Sequence, residues 1–393
     1  MRKIEKWFKT NWLEVFYFVF AVLALLFLLW YGLARILPEI TVAEAKQAAS
    51  SASTKTIIEN PLGLPHKVLQ HISQKLLPGA FGIRLASTIF GFLVVVSFYL
   101  ITKSLYAGRV ALLGTLAFAT SAWFLSIARS GVDASMYFLL FVTGACLMWV
   151  RKSENSALSI TVTSMLLLLL LYIPGLIWII IPLVFWQSGV FLNKFHRKRI
   201  VYLGLLGICM IFALIPLSIL LYNEHSLALT YFGLPKEFPG ISHIARNFVG
   251  ILVNLFVRGP DDPTVWLGRV PLLNLFATVM FFVGMYSFMK RKKLDRVAGS
   301  IFIIIASLVL VSLGGAVMIA ILIPFIFLIV TEGISFLLQR WGTVFPRNPI
   351  GRTIGVGLMT IVVLISSAQG ISQHFIAWPN TPATRQVHNL KVN

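Results

Sequence analysis

The sequence predicts an all-α polytopic membrane protein, and three observations carry that reading. The 393-residue chain is 58% hydrophobic and only 12% charged. Its mean hydropathy is +0.88, far above that of soluble globular chains. Apolar stretches recur at roughly the 20-residue length that a helix needs to cross a bilayer. The short alternating strands of a membrane barrel are missing, so each span must satisfy its backbone hydrogen bonds within itself, as a helix.

Eleven spans are expected, near 15–37, 82–102, 109–127, 133–150, 156–173, 175–191, 200–222, 269–289, 299–313, 315–338 and 351–370. The basic segment Met1 to Lys9 leads into an apolar run from Val15 to Leu33. That run is longer than the core of a signal peptide and lacks a small-residue cleavage site before Pro38, so it reads as a retained first span. Spans five and six join through Tyr172-Ile-Pro-Gly175, and nine and ten at Gly314-Gly315. Each of these pairs reads either as two spans or as a broken or re-entrant helix.

Lysine and arginine set the orientation. Twenty of the 33 cluster in short loops, for example Lys194, Arg197, Lys198 and Arg199, or Lys290 to Lys293. This places the N-terminus in the cytoplasm and the C-terminus outside. The loops 38–82 and 223–268 and the tail 371–393 then face outside. No internal repeat or linker divides the chain, so residues 1–393 form one transmembrane domain.

The outer loops carry helical patterns. The Ala- and Ser-rich stretch Val42 to Thr54 suits a helix. Pro65 to Leu77 places Val68, Leu69, Ile72, Leu76 and Leu77 at helical spacing, a stripe suited to the membrane surface. Ile241 to Phe256 is similar, with Arg246 on the other side. Both fit either a lid packed on the bundle or an interfacial helix.

The net charge of +20 does not signal nucleic-acid binding, because the basic residues gather at span ends and not on a soluble face. The two cysteines, Cys146 and Cys209, sit inside apolar spans and support neither a disulfide framework nor a metal-ligand pattern. Soluble-enzyme signatures are absent: no P-loop, HExxH, GxSxG elbow or dinucleotide glycine pattern occurs. Span centres are nearly free of charge, which counts against a proton-coupled transporter and turns attention to the outer loops.

The loop from Pro38 to Gly82 is long for a compact domain, and long loops often bind or catalyse. It holds Glu39, Glu44, Asn60, His66 and His71. Each glutamate reads as a solvated acid or as a general base that takes a proton from an acceptor hydroxyl or amine. No nucleotide sugar is available outside a cell, so such a base would serve a lipid-linked donor whose leaving group is a lipid phosphate. Arg129 and Asp133 are four apart and would pair on a continuous helix. If Gly131 breaks the helix, Asp133 is free to hold a metal or the acceptor, and Arg129 to grip a phosphate with its planar fork. Arg84 reads as a snorkelling residue or a further phosphate ligand. His66 and His71 are five apart, which suits no helical metal pair. In the second loop, Arg258-Gly-Pro-Asp-Asp-Pro263 reads first as a turn, with Arg258 as a further phosphate candidate.

Several stretches in this order resemble one family. They are Asn60-Pro61-Leu-Gly-Leu-Pro65 after the acids of the first loop, Phe81-Gly-Ile-Arg-Leu-Ala-Ser87, Gly108-Arg109, and Ser121-Ala-Trp-Phe-Leu-Ser-Ile-Ala-Arg129 before Asp133. Ala320-Ile-Leu-Ile-Pro324 follows later. The chain resembles the bacterial GT-C membrane glycosyltransferases of the protein-mannosyltransferase and aminoarabinose-transferase type, in a short form without a soluble C-terminal domain. The resemblance implies a bundle of about 11 transmembrane helices with amphipathic juxtamembrane helices on the outer face. It implies transfer of a sugar from a polyprenyl-phosphate donor to a protein, lipid or glycan acceptor. It also implies that Glu44 or Glu39 is the base, that Asp133 supports the site, that Arg84, Arg129 and Arg258 bind the donor phosphate, and that Asn60 and His66 belong to the acceptor side or the loop. No cofactor is assigned beyond a divalent cation, whose ligands are unknown. The family often begins its first loop with an Asp-Glu pair, whereas the glutamates here are separated. A lipid-glycan flippase or transporter and a non-catalytic membrane scaffold are the other classes the sequence leaves open.

Overall fold

The computed structural model describes residue 16 and residues 19–152, 157–192, 197–291 and 298–391. In chain order the helices are α1 (Val19–Trp30), α2 (Val42–Ser50), α3 (Thr54–Glu59), α4 (Leu64–Leu76), α5 (Ala80–Leu105), α6 (Gly108–Ala119), α7 (Ala122–Ala128), a 3₁₀ turn (Asp133–Tyr137) and α8 (Phe138–Lys152). They continue as α9 (Ala157–Leu170), α10 (Ile177–Leu192), α11 (Arg197–Asn223), α12 (His225–Tyr231), α13 (Ile241–Phe256), α14 (Leu275–Arg291) and α15 (Ala298–Ser312). A second 3₁₀ turn (Ile319–Leu322), α16 (Ile323–Val344), α17 (Pro349–Ser372), a π-turn (Gln373–Ala377) and α18 (Pro382–Val387) complete the chain. Among the described residues the only β-type pairing is an isolated bridge between Ile40 and Leu390.

The protein is an integral membrane protein built from helices. Ala80–Leu105, Asp133–Lys152, Ile319–Val344 and Pro349–Ala377 are each long and apolar enough to cross a bilayer, and α6 with α7, bent by 62°, forms a fifth if counted together. Other apolar helices, such as Val19–Trp30, Leu275–Lys290 and Ala298–Ser312, are shorter than a full crossing. Among the described residues these helices supply four spans, or five with the bent pair, by length and composition. The join expected at Gly314-Gly315 falls in a break, residues 313–318, between α15 and the 3₁₀ turn that leads into α16.

The core is apolar and aromatic. Phe98 and Phe118 lie 4.6 Å apart, Phe118 and Phe124 4.7 Å, and Phe141 and Phe325 5.2 Å, so α5, α6, α7, α8 and α16 share one packed block. Ring pairs at these distances add to burial through their quadrupoles. α16 is buried over most of its apolar length, against α14 and α6.

α4 is amphipathic in the sense opposite to a soluble helix. Its polar residues His66, Lys67, Gln70, His71 and Ser73 are buried, while Val68, Ile72 and Leu76 are exposed. Such a helix presents its apolar face to lipid and its polar face to the protein. The stripe expected over Pro65–Leu77 is thus present, and its reverse face builds the site.

Candidate active site

The site forms where the chain breaks between α7 and α8. Ser121 caps α7 by accepting the Phe124 N–H at 3.2 Å, and the helix ends at Arg129. The chain then runs through residues 130–132 into the 3₁₀ turn that begins at Asp133. Arg129 and Asp133 consequently share no helix face and form no ion pair, and the helical pair the spacing allows does not exist. Arg129 reaches back about a hundred residues instead: Nη1 donates to the Leu28 and Leu29 carbonyls at 2.8 and 2.9 Å, and Nη2 to Tyr31 at 2.8 Å. These are carbonyls at the C-terminal end of α1, which lack helical partners and favour a cation. The Phe375 ring covers the guanidinium at 4.5 Å.

Glu44 is enclosed rather than poised. It sits in the first turn of α2, where Thr41 and Glu44 form a reciprocal capping box. Its Oε1 accepts from Arg84 Nε at 2.8 Å and from the Gly131 N–H at 2.7 Å. Its Oε2 accepts from Arg84 Nη2 and the Thr41 N–H, both at 3.0 Å. Burial pushes the Glu44 carboxyl up, but Arg84 and the two backbone N–H groups outweigh it and hold the acid below its ordinary value. Arg84 is equally committed, donating also to the carbonyls of Leu33 at 2.9 Å, Leu37 at 2.5 Å and Glu39 at 2.9 Å. Glu39 thus takes part through its backbone carbonyl.

A clamp holds the backbone just before Asp133. Gly131 donates to Glu44, and its carbonyl accepts from Gln70 Nε2 at 2.9 Å. The Val132 carbonyl accepts from Ser87 Oγ at 3.2 Å, and Ser135 Oγ donates to Ser87 at 3.0 Å. Gly131 has to be glycine: a Cβ there would lie 2.7 Å from Ile83 Cγ2 and 3.0 Å from Glu44 Oε1. Gly63 opens α4 with φ +73°, a left-handed conformation that favours glycine, and faces the Asp133 carboxylate. His66 belongs to this clamp. Gln47 Nε2 donates to its Nδ1 at 3.4 Å, so its Nε2 carries the proton and donates to Ser87 at 3.1 Å. Burial, with a smaller push from Lys67, lowers the His66 pKa to about 3 and keeps it neutral.

Asp133 differs from Glu44. It is half-buried on the cavity wall, within electrostatic reach of Lys67 on α4. Lys67 Nζ donates to the Asn60 carbonyl at 2.6 Å, while Asn60 Oδ1 accepts the Leu62 N–H at 3.1 Å and shapes the turn before α4. Burial lowers the Lys67 pKa and Asp133 opposes that shift.

A cavity of about 900 Å³ joins these groups. Glu44, Arg84, Arg129, Asp133, Asn60 and Lys67 line it, together with Lys46 from α2, Asp262 from the second outer loop, and His374, Trp378 and His388 beyond α17. Four cationic and three acidic side chains therefore border one space. Glu39, His66 and Arg258 do not line it; Arg258 is exposed just past α13, and His66 is buried behind the wall. Lys67 and the 374–388 residues escaped the sequence reading. The polar face of the α4 stripe was the available signal for Lys67, whereas nothing local marks His388. Among the described residues no three of His, Cys, Asp and Glu gather as a metal-binding group.

No family model matches the sequence, and no curated protein matches it. Solved structures do. The crystal structure of ArnT from Cupriavidus metallidurans in the apo state superposes with a TM-score of 0.58 over 95% of this chain and 77% of that one, at 12% identity. The chain shares the fold of ArnT. The same protein bound to undecaprenyl phosphate matches with a TM-score of 0.54, over 96% and 77% of the two chains, at 13% identity. This is the kind of all-helical membrane bundle that the family resemblance implies.

Proposed function

We propose that this protein is a membrane glycosyltransferase. It moves a sugar from a polyprenyl-phosphate donor to a protein, lipid or glycan acceptor on the extracytoplasmic side of the plasma membrane. The observation that carries the reading is the cavity in which a partly exposed carboxylate, Asp133, and a buried lysine, Lys67, border the same space. A fold shared with a protein that binds undecaprenyl phosphate supports it, as does the distribution of Lys and Arg that puts the first loop outside.

Of the three carboxylates named from sequence, Asp133 is the base we assign. A base needs an oxygen within reach of the acceptor. Glu44 has both oxygens engaged by four donors, and Glu39 lies off the cavity wall. In the proposed reaction Asp133 takes the proton of the acceptor hydroxyl or amine. The acceptor atom bonds to the anomeric carbon, the bond from that carbon to the phosphate oxygen breaks, and its electron pair leaves with the polyprenyl phosphate. Lys67, with Lys46 nearby on the wall, balances the charge gained by the departing phosphate. Arg84 and Arg129 contribute field; Arg84 has spent all five N–H donors on Glu44 and backbone carbonyls, and Arg129 three of its five on backbone carbonyls.

The test is transfer from undecaprenyl phosphate carrying a tritiated sugar, in membranes containing wild-type protein or Asp133→Asn. Loss of a general base lowers the rate about 10²- to 10⁴-fold. Wild-type transfer by the variant would overturn the assignment of Asp133, and no transfer by wild type from any of a set of sugar-lipids would overturn the donor class.

A further inference from the structure

The segment beyond α17 closes one side of the cavity. Leu390 pairs with Ile40 through two hydrogen bonds, Ile40 N–H to the Leu390 carbonyl at 2.9 Å and the reverse at 3.2 Å. Trp378 Nε1 donates to the Pro263 carbonyl at 3.1 Å. The segment is therefore tied to both long outer loops and places His374, Trp378 and His388 on the cavity wall.

His388 carries the most specific chemistry of the three. Its Nδ1 lies 2.9 Å from the Thr384 carbonyl. A carbonyl only accepts, so Nδ1 bears the proton and Nε2 is left with its lone pair. Nε2 has no hydrogen-bond partner among the described residues, on a residue that borders the cavity. Burial lowers the His388 pKa, and the nearby Glu44 and Arg84 charges act in opposite directions, so the ring is neutral near pH 7. The Trp378 ring meets the imidazole edge-on at 5.7 Å and stacks on His374 at 5.4 Å. An aromatic ring beside an unclaimed hydrogen-bond acceptor suits a ligand with a carbon-rich face and hydroxyl groups at its rim, which is the shape of a sugar ring.

We propose that His388 is a sugar-contacting residue, its Nε2 accepting a hydrogen bond from a hydroxyl of the donor's sugar while Trp378 forms the adjoining wall. This rests on the glycosyltransferase reading. It adds a specificity determinant about 255 positions away from Asp133 in the chain, on a segment outside the resemblance described above.

The test compares two probes on purified protein in detergent micelles: undecaprenyl phosphate alone, and undecaprenyl phosphate carrying one hexose, glucose or mannose. Wild type is expected to bind a sugar-bearing lipid more tightly than the bare one. His388→Phe keeps a ring but no acceptor, and it is expected to bind that sugar-lipid about three- to tenfold more weakly, the value of one net hydrogen bond. Its affinity for bare undecaprenyl phosphate should stay at the wild-type level, which also reports correct folding. His388→Asn keeps an acceptor and should recover part of the difference; it also serves if the phenylalanine variant does not fold. Equal loss for both lipids, or equal behaviour of the Phe and Asn variants, would overturn the proposal while leaving the transferase reading intact. Wild type that binds neither lipid would overturn both.

Discussion

Replacing Glu44 by Gln separates a structural acid from a catalytic one. The carboxylate accepts four hydrogen bonds, from Arg84 Nε and Nη2 and from the N–H groups of Thr41 and Gly131, all at 2.7–3.0 Å. It is 4% exposed, as is Arg84. Glutamine matches the shape but removes the charge opposite a buried guanidinium, and it turns an NH₂ group toward donors that need an acceptor. Breaking a buried pair from one side costs about 3–5 kcal/mol. The three carbonyls that Arg84 retains put this case at the lower end, near 3 kcal/mol. The assay is unfolding of detergent-solubilised protein by heat and denaturant, run beside sugar transfer. Glu44→Gln is expected to lower the unfolding midpoint by several degrees. In a double-mutant cycle with Arg84→Met, the double variant should lose less than the sum of the singles, because removing both charges leaves neither buried alone. Asp133→Asn, by contrast, should unfold like wild type and lose transfer. A Glu44→Gln protein with a wild-type midpoint, no coupling to Arg84 and no transfer would refute this reasoning and make Glu44 the base.

Two further outcomes follow from the same clamp. Gly131→Ala should destabilise by about 1–3 kcal/mol, since the new Cβ meets Ile83 at 2.7 Å and Glu44 at 3.0 Å; an unchanged unfolding midpoint would contradict the packing described. His66 is neutral in the fold with a pKa of about 3 against 6.5 for a free histidine. Its folded pKa is depressed, so the stability it contributes is complete above pH 6.5 and drains as the pH falls toward 3. The loss by pH 5 is about 2 kcal/mol. Unfolding midpoints of wild type and His66→Gln should therefore converge on acidification, and parallel curves from pH 7 to 5 would count against a buried neutral imidazole.

Much of the site lies in recognisable pieces of sequence, yet its wiring does not. The helix expected from Val42 and the stripe over Pro65–Leu77 are local patterns, and they stand as α2, which ends at Ser50, and α4. The functions of the arginines are another matter. Arg84 meets a carboxylate forty residues earlier, and Arg129 caps a helix end about a hundred residues earlier. A sequence shows a cation near the outer surface and leaves open whether its donors face a phosphate or the ends of a neighbouring helix. Here unsatisfied carbonyls at the end of α1 claimed Arg129, and Glu44 with the carbonyls of Leu33, Leu37 and Glu39 claimed Arg84.

By itself, the sequence determined the solvent and the secondary structure. Fifty-eight per cent hydrophobic residues leave no way to hide the chain from lipid, and lipid requires each crossing segment to close its own hydrogen bonds as a helix. The sequence also directed attention to the long loops and span ends, since few charges interrupt the spans. Only the tertiary structure decided which acid is spent and which is available. It enclosed Glu44 with Arg84, set Asp133 on the cavity wall with Lys67, and brought His388 across to the same cavity. The physical reason is that hydrogen-bond satisfaction is a property of the whole fold: a carboxylate is neutralised by whichever donors the packing places against it, and those donors lie far away along the chain.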